Sequence, residues 1–402
     1  MNVIHFGAGN IGKGFIANVL SHNGFHICFV DVDQTNIATI RKENKYLIEV
    51  LDTKPYFVEV NNVSILDSIH EQTQIVEQIC QADLITTSVG VNNLPRIAPL
   101  IIQGLIERFK RHRTPVNIIA NENAINATNI LKQAITQQLP TSEQQILTQV
   151  GFVNSAIDRQ AISTTYNGTT ITAVEPFWEW VINQKEMVEN NLPKIQGVTY
   201  VDDLQPYIEK KLYIVNLGHA SLAYLGFIAN KTTILDVLSI PAFRQFVKNV
   251  MSDSARYLIA EYQFAEQTLA DYIEDTLSRF ANPHIKDSVL RVAKSPIRKL
   301  GVNERLIGPL SQLQSRKLPT HNLSKVVAMA LLFSDQQDSE AITLQDFIQQ
   351  HGIEAAIKHY CQITDQALIQ VIADYYTTLN AIIQNDSGTH FLTRIEHFLF
   401  NQ

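Results

Sequence analysis

"NVIHFGAGNIGKGF", residues 2–15, decides how the chain is read. Asn2–Phe6 is a short apolar run of strand character that stops at a glycine turn. Gly7-Ala8-Gly9-Asn10-Ile11-Gly12 is a G-x-G-x-x-G, and the residues after it have the character of a helix. In that pattern Gly7 permits the tight turn and Gly9 lets a pyrophosphate approach the backbone. Gly12 lets helix and strand pack closely, and the N-terminus of the helix faces the anion. The next apolar run, "HICFVDV" (26–32), carries Asp31 near its end, at about the ~20-residue interval expected of a ribose-binding acid. Asp31 can accept from a ribose diol and would repel a 2′-phosphate. No Arg or Lys follows it before Arg41, which favours NAD over NADP. A purely structural glycine turn, or the similar loop of a methyltransferase, is the alternative.

Outward from this turn the alternation continues. "DLITTSV" (83–89), "VNIIAN" (116–121) and "ILTQVGFVN" (146–154) read as buried strands. "RIAPLIIQGLIERFKRH" (96–112) repeats Ile97, Leu100, Ile101, Leu105 and Phe109 at helical spacing. Strand and helix in turn predict a parallel α/β sheet of Rossmann type. The loop "VGVNN" (89–93) would border the cofactor, with backbone contacts from Val89 and Gly90. From 164 to 183 the composition shifts to Thr, Val, Ile and aromatics around an Asn167–Gly168 turn, predicting strands added to the sheet. "NNLPKIQGVTY" (190–200) reads as a boundary, and beyond about 203 the chain reads as nearly all helix. The expected architecture is therefore α/β. Residues 1–195 form a dinucleotide-binding Rossmann domain with a mostly parallel sheet and added strands. Residues 196–402 form a mainly α-helical, substrate-binding and catalytic domain.

At 402 residues, two domains are the natural expectation. A net charge of -7 argues against a general nucleic-acid or membrane-surface binder, so an anionic substrate would need a local basic cluster. The opening residues carry no signal-peptide pattern, and runs such as "VVAMALLF" (326–333) are too short to span a bilayer. Cys28, Cys80 and Cys361 form no C-x-x-C pair and suggest neither a disulfide framework nor a zinc site. The reducing cytoplasm is the expected location. Monomer and homodimer both stay open.

"KLYIVNLGHA" (211–220) sets Lys211, Asn216 and His219 into an otherwise mostly apolar stretch. On an α-helix at ~100° per residue, His219 lies about 80° and Asn216 about 140° from Lys211, all on one side. A solvated helix face would explain that. So would a catalytic site: a desolvated lysine, its pKa lowered, acts as general base. An uncharged amide can then donate to a developing alkoxide. Alcohol oxidation by a nicotinamide needs such a base, because the cofactor takes the hydride and not the proton.

"HFGAGNIGKGF" (5–15), "VGFVNSAIDR" (150–159) and K-x4-N-x2-H at 211–219 together resemble the polyol-specific long-chain dehydrogenases, the mannitol dehydrogenase family. "NPHIKDSVLRV" (282–292), "PIRKL" (296–300) and "ERLIGPL" (304–310) extend the resemblance over essentially the whole chain, nearest the phosphate-specific members. The resemblance implies metal-independent chemistry with Lys211 as base. Asn216 and, in "ANENAINAT", Asn123 would form the oxyanion hole, with His219 on the substrate. The implied reaction interconverts D-mannitol 1-phosphate and D-fructose 6-phosphate with NAD. Where the family usually has an aliphatic residue after Asp-Arg, this chain has Gln160, and its end beyond about 385 is longer than usual. Arg298, Lys299 and Arg305 could hold the substrate phosphate or form a solvated face. Asp158 and Arg159 suggest a buried ion pair. His321 and Asn322, in "PTHNL", sit at a helix start where they could reach a cleft, or Thr320 or Asn322 could cap the helix, and Trp178 and Trp180 suggest core. Three rivals remain: a sibling polyol or uronate reductase such as fructuronate reductase, an NAD-binding regulator with a dead site, and a methyltransferase.

Overall fold

The computed structural model describes residues 1–285, 287–385 and 390–401, with Asn385 by its backbone alone. The chain divides into two compact units, Met1–Tyr207 and a second that begins at Ile208. The strands are β1 (Asn2–Phe6), β2 (His26–Asp31), β3 (Tyr46–Val50), β4 (Tyr56–Val60), β5 (Val63–Asp67), β6 (Leu84–Thr87), β7 (Val116–Ala120), β8 (Val150–Phe152), β9 (Ser155–Asp158), β10 (Ala161–Tyr166), β11 (Thr169–Val174), β12 (Glu179–Asn183) and β13 (Thr199–Val201).

A six-stranded sheet runs in the order β5-β2-β1-β6-β7-β8, every pair parallel. Its inner strands are mostly apolar because helices cover both faces, and every residue of β6 and β7 is buried. The chain builds outward from β1 on one side, then crosses to β6 on the other. The order therefore reverses between β1 and β6, and the loops leaving those two strands flank the crevice where such sheets bind ligands.

The strands expected from 164 onward are present, but they form sheets of their own rather than extending the first. The β10–β11 hairpin turns at Asn167 and Gly168, both with positive φ as a type I′ turn requires. Its second strand joins β3, giving a four-stranded sheet β10-β11-β3-β4, while β13-β12-β9 make a third. A hairpin brings its own pairing partner, so it needs no edge of the main sheet. The strand expected over 146–154 is also shorter. Thr141–Gln149 is a 3-10 helix in which Ile146 alone is buried, and pairing begins at Val150.

The second unit is helical over its described residues, apart from an isolated bridge between Thr233 and Ser288. Its core surrounds the helix Leu217–Ile228, which the helices Pro241–Tyr262 and His321–Leu331 help to bury. The final helix, Phe391–Phe400, adds Ile395, Phe398 and Leu399 to that core.

Candidate functional site

Each glycine of the opening turn has its own steric reason. Gly7 has φ +101°, and a Cβ there would lie 2.5 Å from the Ser88 carbonyl oxygen. A Cβ on Gly12 would lie 2.1 Å from the Gly7 carbonyl oxygen, so this glycine is where helix meets strand. A Cβ on Gly9 would meet nothing within 4 Å, so the space over Gly9 is open. Beside it a cavity of about 620 Å³ is walled by Gly7, Gly9, Asp31, Ser88, Val89 and Arg96 among others.

Asp31 is locked by its own surroundings. One carboxylate oxygen accepts from the Ala8 amide at 2.5 Å, the other from the Val32 and Asp33 amides at 2.6 and 2.9 Å. Asn10 turns its side chain to Ser163 and Thr172, and Ile11 packs on the apolar core of the first unit. Sequence reading missed a cation: Lys13 donates to Asn36 Oδ1 at 2.6 Å and lies within electrostatic reach of Asp31 and Asp33. Burial lowers its pKa and the two aspartates oppose that. It precedes Asp31 in the chain, where a search of the residues after Asp31 could not find it.

The loop after β6 also differs from expectation. The Val89 and Gly90 amides do not point free to a ligand, because both donate to Glu122 at 2.9 and 2.8 Å. Thr87 Oγ1 donates to the same carboxylate, and burial raises its pKa. Val89 remains a wall of the cavity. Glu122 was visible only as a letter in "ANENAINAT"; the pairing of β6 with β7 is what brings it to the loop. Asn123, next to it, is exposed.

In the second unit, Lys211–Asn216 is a π-helical turn and not the α-helix assumed above. The Leu217 amide reaches back to Leu212 O, five residues away. This wider turn brings residues five apart, Lys211 and Asn216, closer to one face than the ~140° of an α-helix. From Lys211 to Ala220, only Lys211, Asn216 and His219 are partly exposed, and every residue among them is buried. The turn is anchored just before its start. Glu209 accepts from the Tyr257 and Tyr262 hydroxyls at 2.7 and 2.9 Å, and Lys210 lies over the Tyr272 ring.

His219 stacks on Phe280 at 4.6 Å between ring centres, 16° from parallel. Its Nε2 is 2.8 Å from Asp287 Oδ2. Burial lowers the His219 pKa despite that carboxylate. Arg298 and Arg305 both bind Glu304, Arg298 half-exposed and Arg305 largely buried. Lys299 is buried, donates to the Lys294 carbonyl, and is pushed down to about 7 by burial beside Arg305 and Arg298.

Arg159 donates to the Glu175 and Gly14 carbonyls at 3.0 and 2.9 Å. Both Asp158 and Arg159 are buried, and the Arg159 guanidinium lies over the Phe15 ring. Asn322 does not cap its helix: its amide donates to Asp253 on the neighbouring helix. Trp180 is fully buried and Trp178 packs on Phe15. Among the described residues no group of three or more His, Cys, Asp or Glu is placed to hold a metal ion, and no helix is long and apolar enough to cross a membrane.

The model of the mannitol dehydrogenase Rossmann domain matches residues 1–197, and that of the mannitol dehydrogenase C-terminal domain matches residues 203–384. The chain belongs to the mannitol dehydrogenase family. A mannitol-1-phosphate 5-dehydrogenase of Geobacillus stearothermophilus is 38% identical over 94% of this chain and 100% of its own length. One from Anoxybacillus flavithermus is 41% identical over 90% and 96%. Among solved structures, mannitol 2-dehydrogenase of Pseudomonas fluorescens with NAD and D-mannitol aligns over 100% of this chain and 95% of its own. That alignment has a TM-score of 0.74 at 16% identity, a likeness of fold. A substrate-free D-sorbitol dehydrogenase gives 0.80 over 94% and 92%, also at 16%. As a mannitol dehydrogenase family member the chain is an oxidoreductase acting on CH–OH groups. Its glycine turn, open space over Gly9 and locked Asp31 fit NAD. The helix Phe391–Phe400 lies past the family's C-terminal segment.

Proposed function

We propose that this chain interconverts D-mannitol 1-phosphate and D-fructose 6-phosphate with NAD, without a metal, and with Lys211 as the base. The observation that carries the reading is near full-length identity of 38–41% to relatives named for that substrate, on a chain that keeps the half-exposed Lys-Asn-His stripe. A cytoplasmic location goes with it.

Gly7, Gly9 and Gly12 shape the turn for the pyrophosphate, and Asp31 accepts from the ribose. NAD held there would supply the hydride acceptor for the carbinol carbon. The hydroxyl proton passes to the Lys211 amine, which must be neutral to receive it. Asn216 and Asn123 donate to the oxygen as negative charge builds on it. His219 binds a substrate hydroxyl. For the phosphate, Arg305 and Arg298 are better suited than Lys299, whose ammonium is committed to a carbonyl and easily neutralised.

The test is NADH oxidation at 340 nm with fructose 6-phosphate, fructose, fructuronate and tagaturonate, each with and without EDTA. Turnover on fructose 6-phosphate alone, unchanged by EDTA, is expected. Turnover on a uronate would overturn the substrate, and loss of activity in EDTA would overturn the metal-free reading. Lys211→Ala should lower kcat at least 100-fold with NADH affinity nearly unchanged. A variant turning over at the wild-type rate would remove Lys211 from the chemistry.

A further inference from the structure

His219 stands in the K-x4-N-x2-H motif, whereas Asp287 lies far downstream in "NPHIKDSVLRV". The fold nevertheless sets the Asp287 carboxylate against the His219 ring, and it does so through the backbone. Ile234 N donates to Asp287 O at 2.9 Å, and Val289 N donates to Thr232 O at 3.0 Å. Thr233 and Ser288 form an antiparallel bridge between these segments. Ser288 then caps the helix Val289–Ala293 by accepting from the Arg291 amide. Asp287 is thus pinned through its own carbonyl and the residues that follow it, without any contribution from His219.

The carboxylate is buried, and its two oxygens are divided. Oδ2 lies 2.8 Å from His219 Nε2, and Oδ1 accepts from Arg291 Nε and Nη2 at 2.7 and 2.5 Å. A buried carboxylate is costly unless its neighbours need it. Phe280 already fixes the plane of the imidazole by stacking. Stacking cannot choose the tautomer, because the two ring nitrogens are equivalent to an aromatic face. A carboxylate facing one nitrogen does choose it. The His219 side chain is 19% exposed, yet Nε2 itself is enclosed, so the accessible part of the ring is elsewhere. The Nε2 contact is at ion-pair distance but is not an in-line hydrogen bond. Free enzymes often hold such contacts off-line and straighten them when substrate binds.

We propose that Asp287 is a positioning residue for His219: it accepts from Nε2–H and so leaves Nδ1 as the acceptor presented to a substrate hydroxyl. This rests on the reading of His219 as a substrate contact. The lowered pKa of His219 agrees with a ring that stays neutral, in which the choice of tautomer matters.

Two measurements separate this proposal from the function itself. Long-range 15N–1H NMR of the imidazoles, with His219→Ala to pick its signal from the twelve histidines, reads the tautomer directly in full-length protein. Wild type should show Nε2–H, and Asp287→Asn should lose that preference. A wild-type ring protonated at Nδ1, or a tautomer unchanged in Asp287→Asn, overturns the proposal whatever the substrate proves to be. In turnover of fructose 6-phosphate, Asp287→Asn should lower kcat about tenfold or more, as a wrong tautomer does in other imidazole sites. NADH affinity should hold, and the substitution should add nothing further in a His219→Ala background. An equal loss in both backgrounds would mean that Asp287 does not act through His219. Arg291→Met guards against a role limited to anchoring that arginine. It should keep the Nε2–H tautomer, and reproducing the full Asp287→Asn defect would overturn the assignment.

Discussion

His5 sits in the middle of β1 with no exposed surface, its Nδ1 2.7 Å from Thr86 Oγ1 and its Nε2 2.8 Å from Ser88 Oγ. Burial pulls its pKa down to about 3, so the ring stays neutral beneath the glycine turn. In the unfolded chain a histidine titrates near ~6.5. The unfolded state therefore binds a proton that the folded state refuses. The stability this residue contributes is intact above about pH 6.5 and is lost progressively as pH falls toward 3. The urea midpoint should fall between pH 7.5 and pH 5, and His5→Gln should shrink that fall. A variant whose midpoint falls as far as the wild type's would place the acid sensitivity elsewhere. The sequence exposes His5 as a polar letter inside a mostly apolar strand. Its partners are invisible there, because Thr86 and Ser88 reach it only when β6 pairs with β1.

At the scale of the element, the glycine turn makes a prediction that separates folding from binding. Gly12→Ala forces a Cβ against backbone, with His5 Nε2 and Ser88 Oγ also within 3 Å, and should cost about 1–3 kcal/mol of stability. Gly9→Ala meets nothing in the protein and should leave Tm unchanged while weakening NADH binding at least tenfold. The two effects are read by thermal unfolding and NADH fluorescence titration. Equal NADH affinity in Gly9→Ala and wild type would mean that the cofactor does not approach Gly9. This turn is readable in one dimension because its chemistry is local: a positive φ, a missing Cβ and a helix start all fall within a few residues. The π-turn at Lys211–Asn216 is equally short but is not readable in that way. Nothing in "KLYIVN" distinguishes an i→i+5 hydrogen bond from an i→i+4 one. The choice follows from the packing of Leu212, Tyr213, Ile214 and Val215 in the core and from the anchor at Glu209.

At the scale of the molecule each unit carries its own core: two clusters in the first, and one in the second that runs from Leu212 to Leu399. The second core is closed at its end by a buried lysine. Lys325 Nζ donates to the Leu399 and Asn401 carbonyls at 3.0 and 2.8 Å, and it lies over the Tyr375 and Phe398 rings. Burial lowers its pKa. Lys325→Met would leave those carbonyls without a donor, at a cost of roughly 1–3 kcal/mol. Hydrogen exchange should then quicken across Phe391–Phe400 with NADH binding unaltered, and unchanged exchange there would show that the lysine does not hold the helix. The sequence by itself determined the parallel sheet, the helical second half, the glycine turn with Asp31, and the Lys211, Asn216 and His219 stripe. Each is written in residue periodicity or in backbone constraints a few residues long. Only the tertiary structure decided that the later strands build separate sheets, that Glu122 occupies the Val89 and Gly90 amides, and that Asp287 faces His219. Those depend on residues distant in the chain meeting in space, and a hydrogen bond between distant residues leaves no period in the sequence of either.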